Sequence, residues 1–210
     1  MKDSDLPEIN TDSISLETGD ESLMRDVASG SQDAFEMIFD RYSVRIINFA
    51  YRFLASREEA EDIAQEVFLR IYKAREKYNP ARPFKPWLFS ITSRLISNQR
   101  RMKKRHPQES LDWTFENLEG NLQETILSEN KTHLPDEVIQ KQQLISTVQE
   151  ALRKLPEDQR KAVIFARYEE MSYEEIADTI GVSVSAVKSL LFRARASLKV
   201  SLGSQIEKIG

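Results

Sequence analysis

The chain has 210 residues, which is enough for two small domains that each bury a core. It contains no cysteine, which excludes disulfides and thiolate zinc sites, and no apolar run of about 18 residues that could cross a bilayer. Glycine and proline are few and helix-favouring residues dominate, so we expect an all-α protein. Its acidic start lacks an apolar stretch, so we expect a soluble, cytoplasmic protein without membrane insertion.

The net charge of −4 is spread unevenly. No acidic residue lies between Glu76 and Glu109, where nine cations occur: Lys77, Arg82, Lys85, Arg94, Arg100, Arg101, Lys103, Lys104 and Arg105. A second stretch without acidic residues lies between Asp178 and Glu207. Because local potential rather than net charge governs binding to phosphates, both stretches indicate contacts with nucleic acid.

Changes in composition divide the chain into four parts. Residues 1–20 are polar, acidic and aperiodic, which predicts a disordered leader. Helical periodicity over 21–106 and again over 135–210 predicts two helical domains. Between them, residues 107–134 carry six acidic residues against Lys131 alone. We therefore expect two helical domains joined by an extended acidic linker.

The helix that follows Ser56 has one apolar face and one unusual exposed residue. Ser56 and Glu59 form the pattern of a capping box. The apolar residues recur at intervals of three and four, which predicts a buried face: Ala60, Ile63, Ala64, Val67, Phe68 and Ile71. Leu69 points away from this face, and its polar neighbours are Asp62, Gln65, Glu66, Arg70 and Lys73. A leucine with a polar rim suits either a protein contact or an isolated surface position, and the residues leave both open.

Aromatic residues are interleaved with the cations from Arg82 to Arg105. Unpaired bases stack on aromatic side chains, so this pattern favours single-stranded DNA. Residues 82–86 are rich in proline, which predicts a stiff loop and a helix that starts near Trp87. In that loop Phe84 and Lys85 are candidates to grip a flipped base. Trp87 lies on an apolar helix face and suits a core position equally well.

The segment from Ser172 to Leu198 predicts a helix-turn-helix. Ser172 and Glu175 form a second capping-box pattern, Gly181 can adopt the left-handed conformation of a sharp turn, and Ser183 can cap the next helix. Two helices around a glycine turn are the arrangement that reads DNA. A plain helical hairpin with solvated charges is the alternative, and it does not require the caps, the turn glycine and a small exposed face together.

The second helix of this motif has two distinct faces. Its apolar residues fall on one side: Val184, Val187, Leu191, Ala194 and Leu198. On the other side Phe192 is either a partner contact or an isolated surface residue. As a contact it can meet a thymine methyl, while Arg193 can pair with guanine and flanking cations suit phosphates. We assign five residues to duplex DNA: Lys188, Ser189, Phe192, Arg193 and Arg195.

With these residues identified, the chain resembles bacterial RNA polymerase sigma factors of the extracytoplasmic-function (ECF) group, in the sigma-70 family. The resemblance spans about Glu21 to Leu202. Five segments match successive family motifs in order: DAFEMIFDRY (33–42), AEDIAQEVFLRIY (60–72), PFKPWLFSI (83–91), LPEDQRKAV (155–163) and YEEIADTIGVSVSAVKSLLFRARASL (173–198). Several motifs in register make the resemblance specific.

The resemblance implies a transcription initiation factor that binds core RNA polymerase and directs it to specific promoters. Four residues would dock on the clamp helices of the β′ subunit: Asp62, Gln65, Glu66 and Leu69. Seven would capture the melted minus-ten strand: Phe84, Lys85, Trp87, Arg94, Asn98, Arg100 and Arg101. The second helix of the helix-turn-helix would read the minus-thirty-five duplex, and the acidic linker would thread the polymerase channel. The flap of the β subunit and an anti-sigma factor are further implied partners, with a monomeric free protein that joins the nucleoid when active.

The main alternative is a stand-alone helix-turn-helix regulator that binds duplex DNA as a dimer without polymerase. It leaves the basic aromatic segment unexplained. An enzyme is disfavoured because the only histidines, His106 and His133, lie in or beside the linker, and no nucleophile or phosphate-loop pattern occurs. We therefore expect no catalytic residue, no metal and no cofactor.

Overall fold

The computed structural model describes residues 19–105 and 135–209. This part of the chain forms eight α-helices, one short 3-10 segment and no strand: α1 (Asp20–Ala28), α2 (Gln32–Leu54), α3 (Arg57–Ala74), the 3-10 segment (Arg75–Lys77), α4 (Phe84–Arg105), α5 (Pro135–Lys154), α6 (Glu157–Arg167), α7 (Tyr173–Ile180) and α8 (Val184–Ile209). The all-α prediction is confirmed. The predicted linker, residues 1–18 of the predicted leader and both histidines lie outside the described residues.

The described residues divide into two compact units, with the boundary between Ile96 and Ser97. The boundary falls inside α4, so the last turns of that helix belong to the second unit. Within the described ranges, no helix combines the length and the apolar character that a bilayer crossing needs.

The core of the first unit is built largely on α2 and α3. The Ser31 hydroxyl caps α2 by accepting a hydrogen bond from Ala34 N at 3.2 Å, and the Ser56 hydroxyl caps α3 by accepting one from Glu59 N at 3.3 Å. Ala55 separates the two helices with a left-handed φ of 59°. All six apolar residues predicted to form the inner face of α3 are buried. The other side of α3 is therefore its solvent face.

Helix α4 begins at Phe84, three residues before the predicted start at Trp87. Pro86 consequently lies at the third position of the helix, inside its first turn. The N–H groups of a first turn have no acceptor within the helix, so a proline is tolerated there. The predicted loop over 82–86 was wrong for its last three residues because a first-turn proline was taken for a helix breaker.

In the second unit, α6 and α7 pack with the end of α5 against one side of α8. Leu152, Leu155 and Ala194 form a buried cluster, and the partly buried Val148, Val163 and Leu198 pack against it. The larger side chains of α6 and α7 are also buried: Ile164, Phe165 and Ile176. This core determines which side of α8 faces inward.

Candidate nucleic-acid interface

The turn between α7 and α8 has the geometry that the sequence predicts. Ser172 N donates to Glu175 Oε2 at 2.8 Å and Glu175 N donates to Ser172 Oγ at 3.1 Å, which completes a capping box. Gly181 ends α7 in the left-handed conformation, with φ 81°. The Ser183 hydroxyl then accepts from Ala186 N at 3.2 Å and caps α8. These bonds determine where α8 starts and in which direction it leaves the turn.

Helix α8 presents the five residues assigned to duplex DNA. Val187 and Ala194 are fully buried and Leu191 nearly so, whereas Phe192 is 75% exposed. All five residues of what we call the α8 face are exposed: Lys188, Ser189, Phe192, Arg193 and Arg195. The Ser189 hydroxyl donates to Ser185 O at 3.0 Å, one turn back along the helix. The α8 face is thus cationic, with one large exposed ring near its centre.

On α4 the structure brings together four of the seven residues assigned to the minus-ten strand. At about 100° per residue, positions 87, 94, 98 and 101 fall within roughly 60° of one another on the helix surface. We call these four the α4 stripe: Trp87, Arg94, Asn98 and Arg101. Arg94, Asn98 and Arg101 are exposed and Trp87 is half-buried. Arg101 Nη2 donates to Asn98 Oδ1 at 3.1 Å, so the stripe is internally bonded.

Phe84 does not lie in an exposed loop, as the sequence predicts, but in an aromatic core. Its side chain is fully buried. The ring centroids of Tyr42, Tyr78 and Trp87 lie 5.5, 5.9 and 5.8 Å from that of Phe84. A buried ring offers no face to a flipped base, so Trp87 is the aromatic residue of this segment that retains partial exposure. The core interpretation of Trp87 holds in part, because its ring packs against that of Tyr78 with centroids 4.9 Å apart, and base stacking by Trp87 stays a prediction.

Lys85 and Arg100 lie on the side of α4 away from the stripe by the same helical spacing. Within the second unit, Arg100 Nη1 donates to Glu157 Oε2 at 2.7 Å, and Glu157 Oε1 accepts from Ser97 Oγ at 2.6 Å. Lys161 Nζ lies 2.8 Å from the same Oε1. Burial raises the pKa of Glu157, but the bonds from Lys161 and Ser97 and the charges of Lys161 and Arg100 outweigh it and lower the pKa to about 2.

The four residues assigned to polymerase lie on the solvent face of α3, which we call the α3 face: Asp62, Gln65, Glu66 and Leu69. Leu69 is 54% exposed, although a leucine contributes most to stability when it is buried. Arg70 Nε donates to Glu66 Oε1 at 2.6 Å beside it. The helical spacing spreads the four side chains over roughly 100° of the surface opposite the buried face.

The sequence analysis missed two exposed aromatic residues in the first unit. Phe39 on α2 and Tyr72 on α3 are 44% and 47% exposed. Phe39 lies 4.7 Å from the ring of Phe68, and Tyr72 lies 5.3 Å from the ring of Phe35. The sequence did contain one indication of this: Tyr72 follows Leu69 by three residues, which places both on the same side of α3. Among the described residues, no group of three or more His, Cys, Asp or Glu side chains is arranged to hold a metal.

One unit contains a capped helix-turn-helix, and a basic, partly aromatic helix starts in the other. This combination is typical of an all-helical transcription protein that binds DNA. Residues 38–106 match the family of sigma-70 region 2, and residues 145–198 match the family of sigma-70 region 4. The ECF RNA polymerase sigma factor SigW of Bacillus subtilis (strain 168) is 32% identical over 180 residues, which cover 85% of this chain and 94% of that protein. The chain therefore belongs to the ECF group of RNA polymerase sigma factors, which are transcription initiation factors.

A further relative agrees with this assignment, and two solved structures agree with the fold. The RNA polymerase sigma-H factor of Pseudomonas aeruginosa is 30% identical over 183 residues, 87% of this chain and 93% of that protein. The structure of CnrH in complex with the cytosolic domain of CnrY has a TM-score of 0.65 at 25% identity and covers 88% of this chain and 97% of that one. The sigma factor RpoE of Bartonella quintana, solved with the anti-sigma factor NepR, has a TM-score of 0.60 at 21% identity, covers 80% and 96%, and supports the fold.

Proposed function

We propose that this sigma factor binds core RNA polymerase with the α3 face, captures the melted minus-ten strand with the α4 stripe and reads the minus-thirty-five duplex with the α8 face. The observation that carries the proposal is the division of α8 into a side packed on the core and an opposite side where Phe192 is 75% exposed beside Arg193. An exposed ring next to a cation, on a helix held by a capped turn, is suited to base edges in a major groove.

For the minus-ten strand, the proposal rests on the composition of the α4 stripe. Arg94 and Arg101 supply cations for the backbone phosphates and Asn98 supplies an amide that can pair with a base edge. The half-buried Trp87 offers part of its ring for stacking, which contributes roughly 1–3 kcal/mol per base at such sites. Phe84 supports this surface from the core, and we assign Lys85 and Arg100 no contact with the same nucleotides.

For polymerase, the proposal rests on the exposure of Leu69 within a polar rim. A central apolar side chain surrounded by polar groups is the arrangement that contributes most at protein interfaces. The occupant of the α3 face would be the clamp helices of β′, and the second unit would contact the β flap. The protein would act in the cytoplasm, associated with the nucleoid when active.

We also propose an anti-sigma factor as a partner of the monomeric free chain. RpoE was solved with an anti-sigma factor and CnrH with the cytosolic domain of CnrY. The described part of the first unit exposes four large apolar side chains that a partner could cover: Phe39, Val44, Leu69 and Tyr72. Such a partner should compete with core polymerase in a titration, and weaker binding of Leu69→Ser to both the partner and core polymerase would identify the shared contact.

A binding series tests the proposal. Gel filtration with core polymerase should give a stoichiometric holoenzyme, and only the holoenzyme should bind promoter DNA tightly. Arg101→Ala should weaken capture of a single-stranded minus-ten oligonucleotide and Arg193→Ala should weaken binding of the minus-thirty-five duplex. Arg25→Ala and Arg167→Ala remove other exposed arginines and should change neither. Tight duplex binding by the protein alone, as a dimer, would contradict the proposal and support a stand-alone regulator.

A further inference from the structure

A carboxylate of α1 caps the first turn of α4 from 63 positions away in the sequence. Glu21 Oε1 accepts a hydrogen bond from Phe84 N at 2.9 Å. The first N–H groups of a helix lack acceptors within it, and a negative charge there is also favoured by the helix dipole. Glu21 thus supplies to α4 what a neighbouring serine supplies to α2 and α3.

The local sequence of α4 explains why the cap comes from elsewhere. Pro83 precedes the helix and has no side-chain acceptor, so it cannot cap as Ser31 and Ser56 do. Pro83 and Pro86 also lack N–H groups, which leaves the amides of Phe84 and Lys85 as donors at the start of the helix. The 2.9 Å bond to Glu21 satisfies the first of them.

A second acidic residue, Asp20, fixes the N-terminal end of α1 beside Glu21. Asp20 forms an ion pair with Arg41 and accepts a hydrogen bond from the Tyr42 hydroxyl. The ring of Tyr42 packs against Phe84 with centroids 5.5 Å apart. Beyond Phe84, the Tyr78 hydroxyl donates to Arg82 O at 2.6 Å and anchors the segment that leads into α4. The start of α4 is therefore fixed from both sides, by α1 and by the preceding segment.

We propose that Glu21 is a positioning residue for capture of the minus-ten strand: its carboxylate sets where α4 begins, and thereby where the α4 stripe stands. This inference rests on the proposed function of the stripe. Trp87 lies in the first turn that Glu21 caps, so loss of the cap moves the one half-exposed aromatic residue of the stripe first. Asp20 holds α1 in the orientation that brings Glu21 to the helix.

The test compares three variants within the holoenzyme: Glu21→Ala, Glu21→Gln and the control Asp26→Ala, which removes an exposed acid from the same helix. The probe is a single-stranded oligonucleotide from the minus-ten element of a promoter that the holoenzyme transcribes. Glu21→Ala should bind it more weakly by roughly 2- to 30-fold, the effect of losing a helix cap. Glu21→Gln retains an oxygen acceptor and should recover most of the affinity, while Asp26→Ala should match the wild type.

Two further readouts separate positioning from general loss of structure. Hydrogen exchange of the Phe84 amide should accelerate in Glu21→Ala and remain slow in Glu21→Gln. Core binding should be unchanged in all three.

The outcomes are distinguishable. If the wild-type holoenzyme captures the oligonucleotide and Glu21→Ala captures it equally well, the positioning role of Glu21 is overturned while the proposed function stands. Glu21→Gln could also bind the oligonucleotide as weakly as Glu21→Ala while exchange of its Phe84 amide stays slow. The helix cap would then be intact without restoring binding, which also overturns the positioning role. If the wild-type holoenzyme itself fails to capture the strand, the assignment of the stripe fails and this inference fails with it.

Discussion

Arg70 Nε donates to Glu66 Oε1 at 2.6 Å on α3, immediately beside the exposed Leu69. Both side chains of this ion pair are close to half exposed, so the pair adds little to stability. It does orient the Glu66 carboxylate on the α3 face. The proposed polymerase contact therefore has an apolar centre and a fixed negative charge at its rim.

Charge reversal tests this arrangement. Glu66→Lys should weaken binding to core polymerase by roughly 5- to 30-fold, since a side chain that matters at an interface contributes about 1–2 kcal/mol or more. The measurement is a fluorescence titration of labelled protein with core enzyme. Affinity of the α8 face for minus-thirty-five duplex should not change.

Glu76→Lys is the matched control, because it reverses the same charge on a side chain that is 74% exposed and lies outside α3. It should leave core binding unaltered. Equal losses from both substitutions would show that total charge, rather than the α3 face, governs the contact.

Removal of an exposed ring tests the reading of duplex DNA. Phe192→Ala should reduce the preference of the holoenzyme for its minus-thirty-five element by several-fold, because a thymine methyl would lose its apolar contact. Competition between specific and unrelated duplexes at fixed salt measures that preference. Val200 has the same 75% exposure on the same helix and lies two turns further on. Identical losses in Val200→Ala would contradict a specific role for Phe192.

The faces of α3 and α8 were predictable from the sequence, and the start of α4 was not. On α8 the spacing of Val187, Leu191 and Ala194 identifies the buried side, because a regular helix converts spacing directly into direction. The capping box at Ser172 is likewise local, since its two residues are three apart. Local periodicity and local hydrogen bonds can be read from a single segment.

The contact between Glu21 and Phe84 joins segments 63 positions apart, so no local sequence pattern predicts it. For the same reason the sequence could not show that Phe84 is buried, because the rings of Tyr42 and Tyr78 that cover it belong to other segments. The assignment of Phe84 to DNA contact treated a tertiary packing position as a surface loop. An aromatic residue near a basic stretch can either contact DNA or pack in the core, and only its burial distinguishes the two roles.

Two glycines, Gly181 in the turn before α8 and Gly203 inside that helix, together test the turn. Gly181→Ala should destabilise the helix-turn-helix by about 1 kcal/mol, because φ 81° is unfavourable for alanine. An added Cβ would meet no atom within 4 Å there, so backbone strain is the whole cost. Hydrogen exchange of the α7 and α8 amides measures this local stability.

Gly203 provides the opposite expectation. It lies inside α8, an added Cβ there also meets nothing within 4 Å, and its φ is not positive. Gly203→Ala should therefore slow exchange, by roughly 0.5–1 kcal/mol of added helix stability. If hydrogen exchange accelerated in both variants, the loss of stability in Gly181→Ala could not be attributed to the left-handed backbone conformation at Gly181.

Acid should weaken the second unit through Glu157. Its folded pKa of about 2 lies below the ordinary value of 4.5, so the charged form is the one that folding favours. The resulting stability is fully present above pH 4.5 and is lost as the pH falls through about 2. Urea unfolding followed by circular dichroism should give a stability that drops across this window in the wild type and drops less in Glu157→Gln.

Glu150 supplies the comparison, because it pairs with Lys154 at 2.8 Å on α5 with both side chains at least half exposed. Its carboxylate lacks the additional bonds from Ser97 and Arg100 that Glu157 receives. Glu150→Gln should alter the acid dependence much less. A larger effect from Glu150 than from Glu157 would mean that exposed pairs, not the Glu157 cluster, determine acid stability.

Run-off transcription with purified core RNA polymerase and genomic DNA fragments tests the central claim most directly. With this protein added, core enzyme should initiate at a limited set of discrete start sites, and at limiting protein concentration the transcripts should be several-fold weaker when Glu66→Lys replaces the wild type. The protein without core enzyme should protect no promoter sequence. Absence of discrete transcripts, with the protein unable to bind core polymerase, would contradict its proposed action as a promoter-directing sigma factor.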